Sequence, residues 1–131
     1  AKTIAEGEGL DRETQDILEA AAVTHDVGIR VCFEKYGSCD GQKQELEGPP
    51  IAEKLLPACG YAPAVCARVC YLIGHHHTYV GIDGADYQIL VEADFLVNIF
   101  ENGMAQEAAR KIRDNIFKTK TGRKLLTDLY L

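Results

Sequence analysis

Apolar residues recur along this chain at intervals of three and four, and alternation at every second position is not sustained anywhere. That spacing predicts helix after helix and no sheet. Asp11 is placed to cap a helix running to about Val27, with Glu13 in its first turn and Gly28 to end or bend it. Residues 37–48 (GSCDGQKQELEG), rich in glycine and polar groups, read as a loop. Pro49 and Pro50 suit the first turn of a short helix ending near Gly60, and Pro63 opens another that runs through about His77. TYVGIDGAD is a turn-rich connection. A longer helix is expected from about Ala85 to Asn102, with Gly103 beyond its end, and two amphipathic helices near residues 105–116 and 120–130 complete the chain. The expected fold is all-α, a single-domain helical bundle of about six to seven helices over residues 1–131.

Composition narrows the classes. With 47% hydrophobic residues and a net charge of -6 over 131 residues, the chain is neither a disordered acidic tail nor a general nucleic-acid binder. The charge is uneven: residues 105–131 carry seven Lys/Arg and three Asp/Glu, so the rest of the chain sums to -10. Arg68 splits the greasiest stretch, leaving no apolar run long enough for a bilayer, and no charged-then-apolar leader opens the chain. No membrane partner and a cytoplasmic location are therefore expected. Five cysteines without a CxxC pair fit reduced thiols. Cys66 and Cys70, four apart on an expected helix, could share a soft metal, although free cysteine is more commonly a small buried apolar residue.

Polar side chains that periodicity turns inward are the informative ones, because a buried polar group must be paired or bound to a metal. His25 falls in the middle of the apolar face set by Ile17, Leu18 and Ala21, with Asp26 at its margin. A lone histidine there is commonly a core residue bonded to a carbonyl. In the run His75–His76–His77, the phase of Val65, Val69, Leu72 and Ile73 turns His76 inward, sets His77 beside it and leaves His75 in solvent. The plain alternative is an exposed, histidine-rich helix end. Asp94 lies at the edge of the stripe Ile89, Leu90, Ala93, Leu96, Val97 and Phe100, with Glu92 at the opposite edge. Imidazoles and carboxylates converging from three helices would form a mixed N/O set that suits Zn, Fe, Mn, Co or Ni better than Ca.

AAVTHDVGI, followed about 50 residues on by LIGHHHTY and then by ILVEADFLVN, resembles the HD superfamily of metal-dependent phosphohydrolases. The resemblance implies an all-helical fold in which a first His, an adjacent His–Asp doublet and a distal Asp hold metal. His25 and Asp26 match the doublet, as metal ligands and catalytic pair, and Asp94 matches the distal Asp. In two-metal branches of the family a His on the next helix and a later His pair add ligands; His76 and His77 match that pair. Aligning the Ala of the family's GAxxL-like segment with Ala52 puts Glu47 in place of the next-helix His, and a carboxylate can also hold a hard metal. The family's first His precedes the doublet by a helix and a turn, and no His precedes His25. The opening AKTIAEGEGL looks like the end of that helix, so the expectation is that the chain starts downstream of a residue the complete site needs. A degenerate site is equally allowed.

The activity implied is hydrolysis of a phosphomonoester, a phosphodiester or a nucleotide with one or two divalent ions (Fe, Mn, Zn, Co, Ni or Mg), on a small phosphorylated metabolite or nucleotide. Arg30 and Lys35 are candidates for neutralising substrate phosphate, though solvated charge is as good a reading and Ile29 stands where many relatives carry lysine. Lys118, Lys120, Arg123 and Lys124 are candidates for binding phosphate or for packing against the acidic remainder of another subunit in a homo-oligomer. The competing readings are a non-catalytic metal- or nucleotide-binding module and an interaction protein.

Overall fold

Asp11 accepts a hydrogen bond from Thr14 N at 2.8 Å and starts the helix expected there. In the computed structural model, which describes residues 1–131, that helix is one of eight, and there is no strand. In order they are α1 (Lys2–Gly7), α2 (Arg12–Thr24), α3 (Ile29–Tyr36), α4 (Gly41–Ala58), α5 (Pro63–Ile73), α6 (Ala85–Glu101), α7 (Gln106–Asn115) and α8 (Lys120–Tyr130). No helix is long and apolar enough to cross a membrane.

Three boundaries differ from expectation, each for a local reason. Only residues 37–40 of the expected loop 37–48 are non-helical: Asp40 accepts from Lys43 N at 2.9 Å and starts α4 at Gly41. Pro49 and Pro50 therefore lie inside a helix instead of opening one, and with Pro57 they deprive the carbonyls of Glu45, Leu46 and Glu53 of their helical donors. Gly48, before the proline pair, has no Cβ to clash with a proline ring. Here separate segments of the chain also cross closely. A Cβ on Gly28 would lie 2.8 Å from Gly48 N, and one on Gly48 would lie 2.7 Å from Ile73 Cγ2.

The other two differences set the site. α2 stops at Thr24, so His25 and Asp26 occupy the turn before α3, a short helix in a stretch to which the sequence pattern assigned no element. Gly37, at φ 69°, closes α3 in the left-handed conformation that favours glycine. α5 stops at Ile73, and His75, His76 and His77 sit in the turn beyond it.

α5 packs against both α4 and α2, and α2 in turn packs against α6. Ile4, Leu18, Ala52, Leu56, Val69, Leu72, Tyr87 and Ile89 belong to the main core, while Ile99, Ala109, Phe117 and Leu126 form a second cluster. Phe95, Leu96 and Ile116 pack against both clusters. The expected α6 stripe is buried at Ile89 and Leu90 but not at its far end, where Val97 and Phe100 are exposed.

The α7–α8 hairpin is fastened to α6 through Glu92, which is fully buried and has no cationic side chain bonded to it. Its carboxylate accepts from Lys118 N at 2.7 Å, Thr119 N at 2.9 Å, the Thr119 hydroxyl at 2.5 Å and Gln88 Nε2 at 2.9 Å. An anion at the start of α8 is favoured by the unpaired N–H groups and the helix dipole there. The basic cluster is partly structural too: Arg123 donates to the carbonyls of Arg113 and Phe117, and Lys124 pairs with Asp128.

Glu92→Ala leaves the Lys118 and Thr119 amides without their acceptor, and buried unpaired donors cost roughly 1–3 kcal/mol each. The expected loss is about 3 kcal/mol, which for a chain of this size lowers the unfolding midpoint by about 10 °C. Thermal denaturation followed by circular dichroism measures it, and a shift of only a degree or two would refute the anchoring role.

Candidate functional site

His25 follows α2 directly, and its backbone stays in the right-handed helical region, so the ring keeps the inward phase of the helix it ends. Its Nδ1 lies 2.7 Å from the carbonyl of Ala22. A carbonyl only accepts, so Nδ1 carries the proton, and in the neutral ring Nε2 presents a lone pair. His76 repeats the arrangement: its Nδ1 donates to the carbonyl of Ile73 at 2.7 Å, and its Nε2 is buried with no hydrogen-bond partner. The two rings meet edge to face with centroids 5.4 Å apart.

Two carboxylates join them. His25 Nε2 is 3.3 Å from Asp26 Oδ2 and 3.3 Å from Asp94 Oδ1. Asp94 is mostly buried, with 11% of its side chain exposed, whereas Asp26 is 51% exposed. The second oxygen of Asp94 accepts from Asn98 Nδ2 at 3.0 Å, which leaves Oδ1 facing His25. Charge-assisted N–H···O bonds usually measure about 2.7–2.9 Å, so 3.3 Å is long for one. Donor atoms sharing one ion at bond lengths near 2.1 Å stand about 3.0–3.4 Å apart, and the observed separations fall in that range. The set is gathered without being closed, since no three of these side chains converge on one ion position as they stand.

The electrostatics follow from this placement. Burial opposes charge on His25 more than any one contact favours it, yet the hydrogen bond to Asp94, the Ala22 carbonyl and the charges of Asp26 and Asp94 together raise its pKa above the ordinary 6.5. His76 moves the other way, lowered by burial first and then by the neighbouring His77. For Asp94 burial is the largest influence and acts upward, but the hydrogen bond and charge of His25, with the charges of His76 and His77, bring its pKa below the ordinary 3.8.

Beside these groups a cavity of about 220 Å³ opens between the end of α2 and α6. Asp26, His25, Asp94, Asn98 and Glu101 form its polar side, Ala22, Leu90, Ala93 and Val97 its apolar side, and Ala1 borders it as well. No Lys or Arg side chain lines it.

Other expected site residues are placed differently. Glu47 accepts from Lys35 Nζ at 3.0 and 3.2 Å and from the Tyr36 hydroxyl at 2.7 Å, so Lys35 and Glu47 neutralise each other. The α4 side chain that meets His77 is instead Gln44, whose Oε1 is 3.0 Å from His77 Nε2. Arg30 is 89% exposed and pairs with Glu34 one helical turn on, away from the cavity wall. His75 is half-buried rather than free in solvent, stacked on Tyr71 with ring centroids 4.0 Å apart. Cys66 and Cys70 direct their thiols at different carbonyls, those of Tyr61 and Pro49, and share nothing.

Asn98 went unnoticed in the sequence although it lies four residues after Asp94, the spacing at which helical side chains meet. Gln44 and Glu45 were hidden by reading their segment as loop. No family model matches this chain, and no similar protein was found among curated proteins or solved structures.

In the metal-free protein, histidine NMR titration should place His25 above 6.5 and His76 below it. The raised His25 contributes stability that is complete below 6.5 and lost as pH rises through its folded value. The depressed Asp94 contributes stability present above 3.8 and lost as pH falls through its folded value. The stability difference between wild type and Asp94→Asn should therefore be largest between pH 3.8 and 6.5. Asp94→Asn should also lower the His25 pKa, and an unchanged His25 titration would refute the pairing.

Proposed function

We propose that this chain is an HD-type metal-dependent phosphohydrolase, with His25, Asp26, Asp94 and His76 as the ligands of a divalent transition metal. The observation that carries the reading is His76 Nε2, a buried nitrogen with no hydrogen-bond partner, packed against a second histidine of the same tautomer. Leaving a buried polar atom unpaired costs about 1–3 kcal/mol, and such atoms in a native fold call for an explanation. An ion accounts for it, and two imidazole nitrogens with two carboxylates suit Fe, Mn, Zn, Co or Ni.

When bound, such an ion supplies an acidified water and a Lewis acid for a phosphoryl oxygen. The chain supplies the rest. The Ala22 and Ile73 carbonyls hold each imidazole in the tautomer that leaves Nε2 free, as outer partners of ligating histidines commonly do. Asn98 fixes the rotation of Asp94. Asp26, half-exposed on the cavity wall, is the carboxylate best placed to meet substrate. Leu90, Ala93 and Val97 keep one side of the cavity apolar. A second ion would need His77 and Glu47, which are bonded to Gln44 and to Lys35 and Tyr36, so the one-ion reading is the better supported.

Titration of the metal-free protein with Mn²⁺ or Co²⁺ in a calorimeter should give one ion per chain, with affinity falling at least about tenfold in Asp94→Ala and in His76→Ala. Hydrolysis in a screen of phosphate monoesters, diesters and nucleotides should be abolished by Asp26→Ala. Tight metal binding without hydrolysis of any of them would favour a non-catalytic module, and no metal binding would overturn the reading.

A further inference from the structure

His76 owes its place to a turn rather than to a helix. Residues 75–78 close on themselves through Thr78 N–H, which donates to the His75 carbonyl at 2.8 Å. The turn is then held from two sides. On one, Glu45 Oε1 accepts from His77 N at 3.0 Å and from the Thr78 hydroxyl at 2.8 Å. On the other, the Tyr87 hydroxyl lies 2.8 Å from the His75 carbonyl and 2.5 Å from the Thr78 carbonyl. One phenolic proton is thus shared between the carbonyls at the two ends of the turn. Tyr87 is almost completely buried, so its ring is fixed by packing whatever its hydroxyl does.

Tyr87 and Asp94 both belong to α6. Seven residues apart, they lie on nearly the same face about 10 Å from each other along the axis. One rigid element therefore carries a carboxylate of the candidate site and the hydroxyl that fastens the turn bearing His76. We propose that Tyr87 is a positioning residue: its hydroxyl holds the His75–Thr78 turn so that the His76 imidazole stays against His25 and Asp94. The proposal rests on the metal-site reading above for its use, and on the hydrogen bonds of the turn for its geometry.

Tyr87→Phe removes the shared proton and keeps the ring. The control is Tyr130→Phe, which removes a hydroxyl of α8 that donates to the Leu96 carbonyl of α6 at 2.6 Å, far from the turn in sequence. In the full chain, Co²⁺ affinity is measured by calorimetry, ligand geometry by the visible spectrum of the Co²⁺ protein, and the solvent exchange of the His76 Nδ1 proton by NMR without metal. Tyr87→Phe is expected to weaken Co²⁺ about tenfold or more, to change the spectrum and to speed the His76 exchange. Tyr130→Phe should lower the unfolding midpoint comparably and leave all three readouts at wild-type values. Wild-type Co²⁺ affinity and wild-type exchange in Tyr87→Phe would overturn the proposal, as would an equal loss of both in Tyr130→Phe. If the wild-type chain binds no Co²⁺, the metal reading fails, and exchange at His76 alone decides: faster only in Tyr87→Phe upholds the positioning role, and unchanged refutes it.

Discussion

A polar group taken out of water must be given a partner, and on α6 that rule organises the molecule. The first half of the helix is buried at Ile89, Leu90 and Val91, so its polar side chains have little water to turn to. Each is satisfied by a different part of the chain. Asp86 takes the Arg68 guanidinium of α5, Tyr87 takes the turn after α5, Glu92 takes the start of α8, and Asp94 takes His25 at the end of α2. Apolar packing alone would let these elements slide or rotate against α6. The directional bonds fix where along it each one docks.

The site inherits its geometry from this arrangement. Its two histidines stand just past helix ends, where the chain is free to turn, and its buried carboxylate stands on α6, which packs against α1, α2 and α8. Arg68 extends the same logic to the rest of the long connection: it grips Asp83 and Asp86 with paired N–H groups and lies over the Tyr71 ring, which in turn stacks on His75. The close crossing of Gly28, Gly48 and Ile73 brings the two turns together from the other side.

Much of this was legible in the sequence. Periodicity found α6 and the amphipathic hairpin, and it placed His25, His76 and Asp94 inward. The phase survived at His25 and His76 even though both lie beyond their helices, because the chain keeps its right-handed winding there: His25 is in the helical region, and His75 N–H still bonds back to Leu72. What failed was punctuation. Glycine, aspartate and paired prolines read as loop followed by helix start, whereas Asp40 caps a helix that runs through Pro49 and Pro50. Glu47 entered only through the resemblance, and nothing in its neighbours announces that Lys35 and Tyr36 reach it from α3. Glu92 looked like a border residue because a wheel drawn for one helix cannot show the amide groups that another helix brings to it.

Because the imidazoles and carboxylates gathered at the cavity come from the end of α2, the end of α5 and the middle of α6, whatever engages them together joins three segments that separate on unfolding. Ligation and folding are thermodynamically linked through that shared geometry. A ligand present at a hundred times its dissociation constant adds about 2.7 kcal/mol to the stability of the folded state if it binds only that state. The fold thus acts as its own reporter: ions and phosphate esters can be ranked by how far each displaces the melting transition, before any reaction has been found.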